Sequence, residues 1–215
     1  MRNKPGSDAI DSICRLAPVI PVLVIQDLAH ARPLAEALVA GGLPVLEVTL
    51  RTTHALPAIR EMSQVPGSVV GAGTLLSPDD VLAAENAGAA FGVSPGVTDP
   101  LLRYLDGIEL PFLPGAATVS ECMQLLDRGY TVQKFFPAEA SGGAPAIKSI
   151  GGPIPQIRFC PTGGIDLKKA KAYLSSPNVL CVGGSWVAPD DLVRAGDWDA
   201  ISELARQAAA LPRAT

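Results

Sequence analysis

A lysine in an apolar, strand-like segment is the residue that most directly suggests chemistry. Five of the six lysines lie in the N-terminal tail or in segments with helical spacing, where water can solvate the charge. Lys134 instead lies in Thr131-Val-Gln-Lys-Phe-Phe-Pro137, whose alternation puts Val132, Lys134 and Phe136 on one face. Burial beside aromatic rings disfavours the charged form of an amine, and a neutral amine can attack a ketone. The segment predicts a lysine nucleophile; the alternative is a lysine that reaches out to water or pairs with a buried acid.

A carboxylate and a guanidinium share one face of an earlier segment. Val45-Leu-Glu-Val-Thr-Leu-Arg51 places Glu47, Thr49 and Arg51 on one side and aliphatic residues on the other. Arg51 stands at the end of the segment, and its fork of N–H donors suits a substrate carboxylate. A structural ion pair between Glu47 and Arg51 is the alternative.

Two glycine-rich stretches follow the last two predicted strands. They are Pro161-Thr-Gly-Gly-Ile165 and Val182-Gly-Gly-Ser185. Backbone N–H groups at the starts of the following segments form the phosphate site that is common at this position in barrel enzymes. A single Gly-Gly pair is more often a tight turn, but two pairs in these two loops favour a phosphate site.

Other kinds of site have little support in the sequence. His30 and His54 belong to no cluster at ligand spacing, so neither a metal nor any other cofactor is predicted. Neither a nucleophile elbow nor a GxGxxG motif after the first strand is present, which argues against hydrolases and dinucleotide enzymes. The cysteines lack CxxC spacing and are expected to be buried, reduced thiols: Cys14, Cys122, Cys160 and Cys181.

Composition limits the class of protein further. With 215 residues, of which 48% are hydrophobic, the chain is expected to form a single domain over residues 1–215. A formal net charge of −4 offers no basic surface for nucleic acid. Charged residues interrupt the first apolar run, and every later run is broken by glycine, proline or charge, so no secretory leader or membrane span is expected. These features predict a cytoplasmic protein.

The elements that must position these residues alternate along the chain. Eight short runs rich in branched aliphatic residues are each followed by a helical pattern, which predicts an α/β fold with a parallel sheet closed into a (β/α)8 TIM barrel. An amphipathic N-terminal helix over Asp8–Leu16 is expected to close the bottom of the barrel. The predicted strands are Val19–Ile25, Val45–Leu50, Ser68–Thr74, Phe91–Ser94, Pro111–Pro114, Thr131–Phe136, Ile157–Pro161 and Val179–Gly183.

At these motifs the sequence resembles the 2-keto-3-deoxy-6-phosphogluconate (KDPG) and 4-hydroxy-2-oxoglutarate (KHG) aldolase family. The strings Leu46-Glu-Val-Thr-Leu-Arg51 and Lys134-Phe-Phe-Pro-Ala-Glu139 are highly specific, whereas the Gly-Gly strings are less so. Further stretches that carry the likeness are Val19-Ile-Pro-Val22, Val70-Gly-Ala-Gly-Thr74, Ser94-Pro-Gly96, Arg158-Phe-Cys-Pro-Thr-Gly-Gly-Ile165 and Gly183-Gly-Ser-Trp186. The resemblance therefore covers nearly the whole chain.

The resemblance implies a role for each candidate residue. Lys134 would form the Schiff base and Glu47 would act as general acid and base. Arg51 and Thr74 would engage the pyruvate part, and Phe136 would also bind the substrate. Thr162 is similar to the position that sets the stereochemistry at the aldol carbon; galactonate-type relatives are expected to carry an aliphatic residue there, so the threonine favours the gluconate configuration. The phosphate would be held by Gly163, Gly164, Gly184 and Ser185.

The implied reaction is that of a class I aldolase, a lyase. It would cleave 2-dehydro-3-deoxy-6-phosphogluconate to pyruvate and glyceraldehyde 3-phosphate, a step of the Entner-Doudoroff pathway, and 4-hydroxy-2-oxoglutarate is a second candidate substrate. The family also implies a homotrimer. Two other functions are alternatives: an isomerase or epimerase that shares the phosphate loops but needs no lysine, and a catalytically silent binding module.

Overall fold

Parallel strands dominate the computed structural model, which describes residues 6–214. Nine strands in that range form a six-stranded sheet of order β5-β4-β3-β2-β1-β9 and a three-stranded sheet of order β6-β7-β8. Because all pairings are parallel, the carboxyl ends of the strands in each sheet lie at one edge. The strands are β1 Val19–Leu23, β2 Val45–Thr49, β3 Val69–Gly73, β4 Phe91–Val93, β5 Phe112–Leu113, β6 Gly115–Ala116, β7 Val132–Phe135, β8 Arg158–Pro161 and β9 Val182–Gly184.

The prediction of eight strands needs correction in the middle of the chain. The single strand expected at Pro111–Pro114 is replaced by β5 and β6, which lie on either side of Pro114 and pair in different sheets. Proline has no N–H to donate into a ladder, which accounts for the break. The last strand was also misplaced, because it spans Val182–Gly184 and Val179 pairs singly with Phe159. A second single pair joins Thr162 to Gly183, and both single pairs are parallel.

Helices alternate with the strands, as the sequence predicted. Two of them begin with a capping box: Ser77 and Asp80 at the start of α4, and Thr118 and Glu121 at the start of α6. A short 3-10 helix over Leu28–His30 precedes α2. The α-helices are α1 Ser7–Arg15, α2 Ala31–Ala40, α3 Ala55–Met62, α4 Pro78–Asn86, α5 Asp99–Leu105, α6 Val119–Asp127, α7 Gly143–Gly151, α8 Leu167–Leu174, α9 Asp190–Ala195 and α10 Trp198–Ala209.

Two apolar cores lie on the two faces of the strands. The smaller core contains Ile10 and Cys14 of α1 together with strand residues such as Val45 and Val132, which confirms that the N-terminal helix covers this interior. The larger core packs the opposite strand faces against the helices and includes Leu46 and Val48 of β2. Alternation along β2 therefore sends aliphatic side chains outward and leaves Glu47 on the interior face.

All four cysteines are free and buried, as predicted. Cys14, Cys160 and Cys181 belong to the smaller core, where hydrogen bonds to Cys14 and Cys160 raise the pKa of the Cys181 thiol well above its usual value. Burial raises the pKa of Cys122 to about 11. Thiols with raised pKa values are poor nucleophiles, so Cys122 and Cys181 serve as packing residues. Within residues 6–214, no helix combines the length and hydrophobicity needed to cross a membrane.

Candidate active site

Lys134 and Glu47 form an ion pair on the interior face of the strands. Lys134 Nζ donates to Glu47 Oε1 over 3.1 Å, although 87 residues separate them in the chain. Their side chains are only 6% and 4% exposed. The Phe136 ring lies with its centroid 5.4 Å from the ammonium, as the alternation of the segment predicted. Lys134 thus pairs with a buried acid, as the alternative to a nucleophilic lysine requires. The same contact also places a proton acceptor beside the amine.

A glycine on the neighbouring strand makes room for the carboxylate. Thr49 of β2 pairs with Gly73 of β3, and a β-carbon built on Gly73 would lie 2.3 Å from Glu47 Oε1. No side chain can occupy that position while Glu47 reaches Lys134. Gly73 belongs to the Val70-Gly-Ala-Gly-Thr74 motif, but its role could not be predicted, because which side chain faces a glycine depends on the register between strands.

Arg51 lies beyond the carboxyl end of β2 and points to no acid. It is exposed and forms no ion pair with the residues that the structure describes. The Glu47–Arg51 ion pair considered as an alternative is therefore wrong, because Glu47 pairs with Lys134. Thr49, which lies between them on the same face, donates its hydroxyl to the Leu23 carbonyl over 2.9 Å and stabilises the β1–β2 edge. Arg51 is free to meet an anionic ligand.

Thr74 follows β3 directly and has a strained backbone. Its φ of 64° is the one positive value found at a non-glycine residue in the described part of the chain. A β-branched residue in the left-handed region costs on the order of 1–3 kcal/mol and persists where the surroundings enforce it, commonly at functional sites. Thr74 is half-buried, adjacent to the glycine that accommodates Glu47.

Thr162 follows β8 and holds an unpaired hydroxyl. The residue is 6% exposed, and its Oγ1 is buried without a hydrogen-bond partner. Its side chain packs against Gly183, where a β-carbon would lie 2.3 Å from Oγ1. A buried hydroxyl without a partner is uncommon in a folded protein and suits a site that receives a polar ligand group.

The Gly163-Gly164 loop is held from outside by three side chains. Tyr173 donates to Glu139 Oε1 over 2.5 Å, and Lys169 Nζ reaches both Glu139 Oε2 at 3.0 Å and the Gly164 carbonyl at 2.8 Å. The hydrogen bond from Tyr173, with help from Lys169, lowers the pKa of Glu139. The Gly163 carbonyl accepts from the Glu139 N–H, so the Gly164 N–H of the same peptide points away from Glu139. Glu139 had no predicted role.

Gly184 is the last residue of β9, which pairs with β1, and Ser185 follows it. Gly184 pairs with Pro21, and Trp186 covers it so closely that a β-carbon would lie 1.7 Å from the ring. Ser185 is exposed and lines a cavity of about 110 Å³ between the end of β1 and α9. The glycine at 184 therefore permits the tight packing that presents Ser185 to solvent.

The structure brings some predicted residues into contact and places others at the same edge. Lys134 contacts both Glu47 and Phe136. Thr162 pairs with Gly183, the residue before Gly184. The remaining candidates follow the carboxyl ends of parallel strands: Arg51, Thr74, Gly163, Gly164 and Ser185. An amine beside a buried carboxylate, with an unpaired arginine and glycine loops nearby, can form and protonate an imine on an anionic keto acid.

Comparison with known proteins agrees with this chemistry. Residues 10–204 match the family model described as KDPG and KHG aldolase. A 2-dehydro-3-deoxy-phosphogluconate aldolase of Pseudoalteromonas atlantica is 56% identical over 194 residues, which are 90% of either chain.

Two solved structures share the fold. The KDPG aldolase of Zymomonas mobilis ZM4 with 3-phosphoglycerate has a TM-score of 0.91 at 53% identity, covering 95% of this chain and 97% of that one. The KDPG aldolase of Legionella pneumophila, with pyruvate captured as a covalent carbinolamine intermediate, has a TM-score of 0.91 at 46% identity, covering 94% and 98%.

Proposed function

Because the chain belongs to the KDPG and KHG aldolase family, we propose that it is a class I aldolase that cleaves 2-dehydro-3-deoxy-6-phosphogluconate to pyruvate and glyceraldehyde 3-phosphate. Cleavage of 4-hydroxy-2-oxoglutarate to pyruvate and glyoxylate is proposed as a second activity of the same site. The buried Lys134–Glu47 pair carries the proposal, since it joins a nucleophile to a proton acceptor at 3.1 Å. An isomerase would have no need of this amine.

Glu47 and Lys134 divide the chemistry between them. After Lys134 gives up a proton, its Nζ attacks the C2 carbonyl, and loss of water from the carbinolamine gives a protonated imine. Glu47 then accepts the C4 hydroxyl proton as the C3–C4 bond breaks, the aldehyde leaves, and the bond electrons move to the imine as an enamine. Protonation of the enamine at C3, with Glu47 as the acid, and hydrolysis release pyruvate and restore the lysine.

Arg51, Thr74 and Phe136 are proposed to hold the pyruvate end. The Arg51 guanidinium, which forms no ion pair with residues 6–214, can bind the C1 carboxylate through two parallel hydrogen bonds. Thr74 has a backbone held in an unfavourable conformation next to Glu47, and Phe136 packs beside the amine. Together these contacts would fix C2 within reach of Lys134 Nζ.

The other end of the substrate would meet the glycine loops. We propose that backbone N–H groups of Gly163, Gly164 and Gly184, with the Ser185 hydroxyl, bind the phosphate. The Thr162 hydroxyl, which has no partner among the described residues, belongs to the residue before Gly163 and would hydrogen-bond the substrate near C4. The Glu139–Lys169–Tyr173 contacts would keep the Gly163-Gly164 loop in place.

Borohydride trapping tests the proposed function directly. Incubation with pyruvate and sodium borohydride should inactivate the protein and add a reduced pyruvyl group to Lys134, located by mass spectrometry of the modified peptide. Borohydride without pyruvate is the control and should leave activity unchanged. Modification of a helix lysine such as Lys148, or inactivation without an adduct, would rule out the assignment.

Arg51 and Ser185 should fail in different ways when each is replaced by alanine, because they are proposed to bind opposite ends of the substrate. Arg51→Ala should weaken pyruvate condensation and the cleavage of every keto acid. Ser185→Ala should lower kcat/KM for the phosphorylated substrate by about 10- to 100-fold, the equivalent of roughly 1.5–3 kcal/mol for a hydrogen bond to a charged group. Cleavage of 4-hydroxy-2-oxoglutarate by the same variant should change little.

The measurement is a pair of kcat/KM values for each variant, one with each substrate. Equal losses on both substrates for Ser185→Ala would mean that the loop after β9 does not bind phosphate. Equal retention of both activities by Arg51→Ala would remove the proposed carboxylate contact.

We further propose that the described strands close into one eight-stranded barrel within a single domain, with β5 and β6 counted as one strand. The single pairs Phe159–Val179 and Thr162–Gly183 support closure, because they link the free edges of the two sheets, and β5 and β6 run on through Pro114. A homotrimer remains a prediction from the family; exposed apolar side chains on α4 and α6, such as Leu82 and Met123, would suit contacts between subunits. A cytoplasmic location also remains a prediction.

A further inference from the structure

We infer that the protein binds a multivalent phosphate anion at a second place, in a cavity of about 410 Å³ lined by Arg15, Arg158 and Arg213. We call it the arginine cavity. Arg158 begins β8, whereas Thr162 of the candidate active site follows the end of that strand. At about 3.3 Å per strand residue the two lie on the order of 13 Å apart along β8, at opposite edges of the sheet.

The three guanidinium groups are gathered by short contacts from different parts of the chain. Asp11 Oδ2 accepts from Arg15 Nε at 2.5 Å, and Asp11 Oδ1 lies 2.9 Å from Arg158 Nη2. Arg213 donates Nη1 to the Arg15 carbonyl over 2.9 Å. Helix α1, strand β8 and the C-terminal segment therefore converge here, and the three permanently charged arginines line one cavity.

Among residues 6–214, the ion pairs of the arginine cavity do not balance its charge. Asp11 can offset one of the three positive charges, in a chain whose formal net charge is −4. Arg158 Nε is buried and has no hydrogen-bond partner within the part of the chain that the structure describes. A buried, charged N–H donor without an acceptor is rare and calls for an anion or a water molecule to complete it. An anion in the cavity would relieve the repulsion between the guanidinium groups.

Accessibility and shape favour a phosphate group as that anion. The Arg15 and Arg158 side chains are 54% and 41% exposed, so a ligand can reach them without unfolding the site. The planar guanidinium fork matches the oxygens of a phosphate group. A wider cavity of about 890 Å³ adjoins, shares Arg158 and Pro177, and adds Lys148. The succession of cations favours an elongated anion with two phosphate groups over a single phosphate.

Isothermal titration calorimetry with sodium pyrophosphate at low, fixed ionic strength tests the inference. Arg213→Ala and Arg15→Gln each remove one positively charged guanidinium from the cavity and should weaken pyrophosphate binding by about tenfold or more. Arg103→Ala removes an exposed arginine of α5 that forms no ion pair among the described residues, so it is the matched control and should bind like the wild type. Ser185→Ala separates this site from the proposed active-site phosphate loop and should leave this binding intact.

Either of two results would overturn the inference. Wild-type affinity in both Arg213→Ala and Arg15→Gln, with circular dichroism showing that both are folded, would mean that the anion does not use the arginine cavity. Loss of the binding in Ser185→Ala would assign it to the active-site loop instead. Failure of the proposed aldolase activity would leave these outcomes unchanged, because none of them requires turnover.

Discussion

Replacement of Lys134 by methionine should abolish aldol cleavage to below detection on every keto acid substrate. The methionine side chain preserves much of the buried volume but has no amine, so neither the carbinolamine nor the imine can form. Binding at the two ends of the substrate would remain, but without the electron sink the C3–C4 bond cannot break at a useful rate. Pyruvate release is measured in a coupled assay with lactate dehydrogenase.

The control for this variant is Lys171→Met, which removes an exposed lysine of α8 and should retain full activity. Because methionine at 134 leaves Glu47 without its buried partner, circular dichroism and thermal unfolding must show that the variant is folded. Turnover by a folded Lys134→Met protein above the level of an uncatalysed reaction would contradict the covalent mechanism.

Replacement of Glu47 by glutamine should leave a slow but measurable enzyme. The amide can still accept a hydrogen bond from Lys134, but it cannot take the C4 hydroxyl proton. A general base typically contributes about 10²- to 10⁴-fold, so kcat should fall within that range. Borohydride and pyruvate should still label Lys134, which separates loss of the base from loss of the nucleophile.

Glu61→Gln is the matched control, since Glu61 is an exposed carboxylate of α3, and it should keep wild-type kinetics. Wild-type kcat in Glu47→Gln would show that another group moves the proton. A complete failure of trapping in this variant would instead give Glu47 a part in imine formation as well as in cleavage.

Much of the site could be predicted because strand periodicity is local. Alternation alone put Glu47 and Arg51 on one face of their strand, and Lys134 and Phe136 on one face of a second strand. The structure bears this out for the Lys134–Glu47 ion pair and for the Phe136 ring beside the lysine. That Lys134 and Glu47 meet across 87 residues needed the parallel topology, which the alternation of strands and helices indicated.

Features that depend on register or on three-body contacts could not be derived this way. The closeness of Gly73 to Glu47 follows from pairing between β2 and β3, and the anchoring of the glycine loop joins Glu139, Lys169 and Tyr173 from separate elements. The break at Pro114 is a different case, because it could have been predicted from the sequence. Proline has no N–H to donate into a ladder, and β5 and β6 pair in different sheets on either side of it.

The left-handed backbone of Thr74 has a consequence for engineering the protein. Glycine would adopt a φ of 64° without strain, so a search for stabilising substitutions guided by folding alone would select glycine here. Such a protein would gain thermal tolerance and lose the threonine side chain that is proposed to help hold the pyruvate end of the substrate. Position 74 is thus a point of trade-off between stability and activity, and it should be held fixed in any thermostabilising redesign.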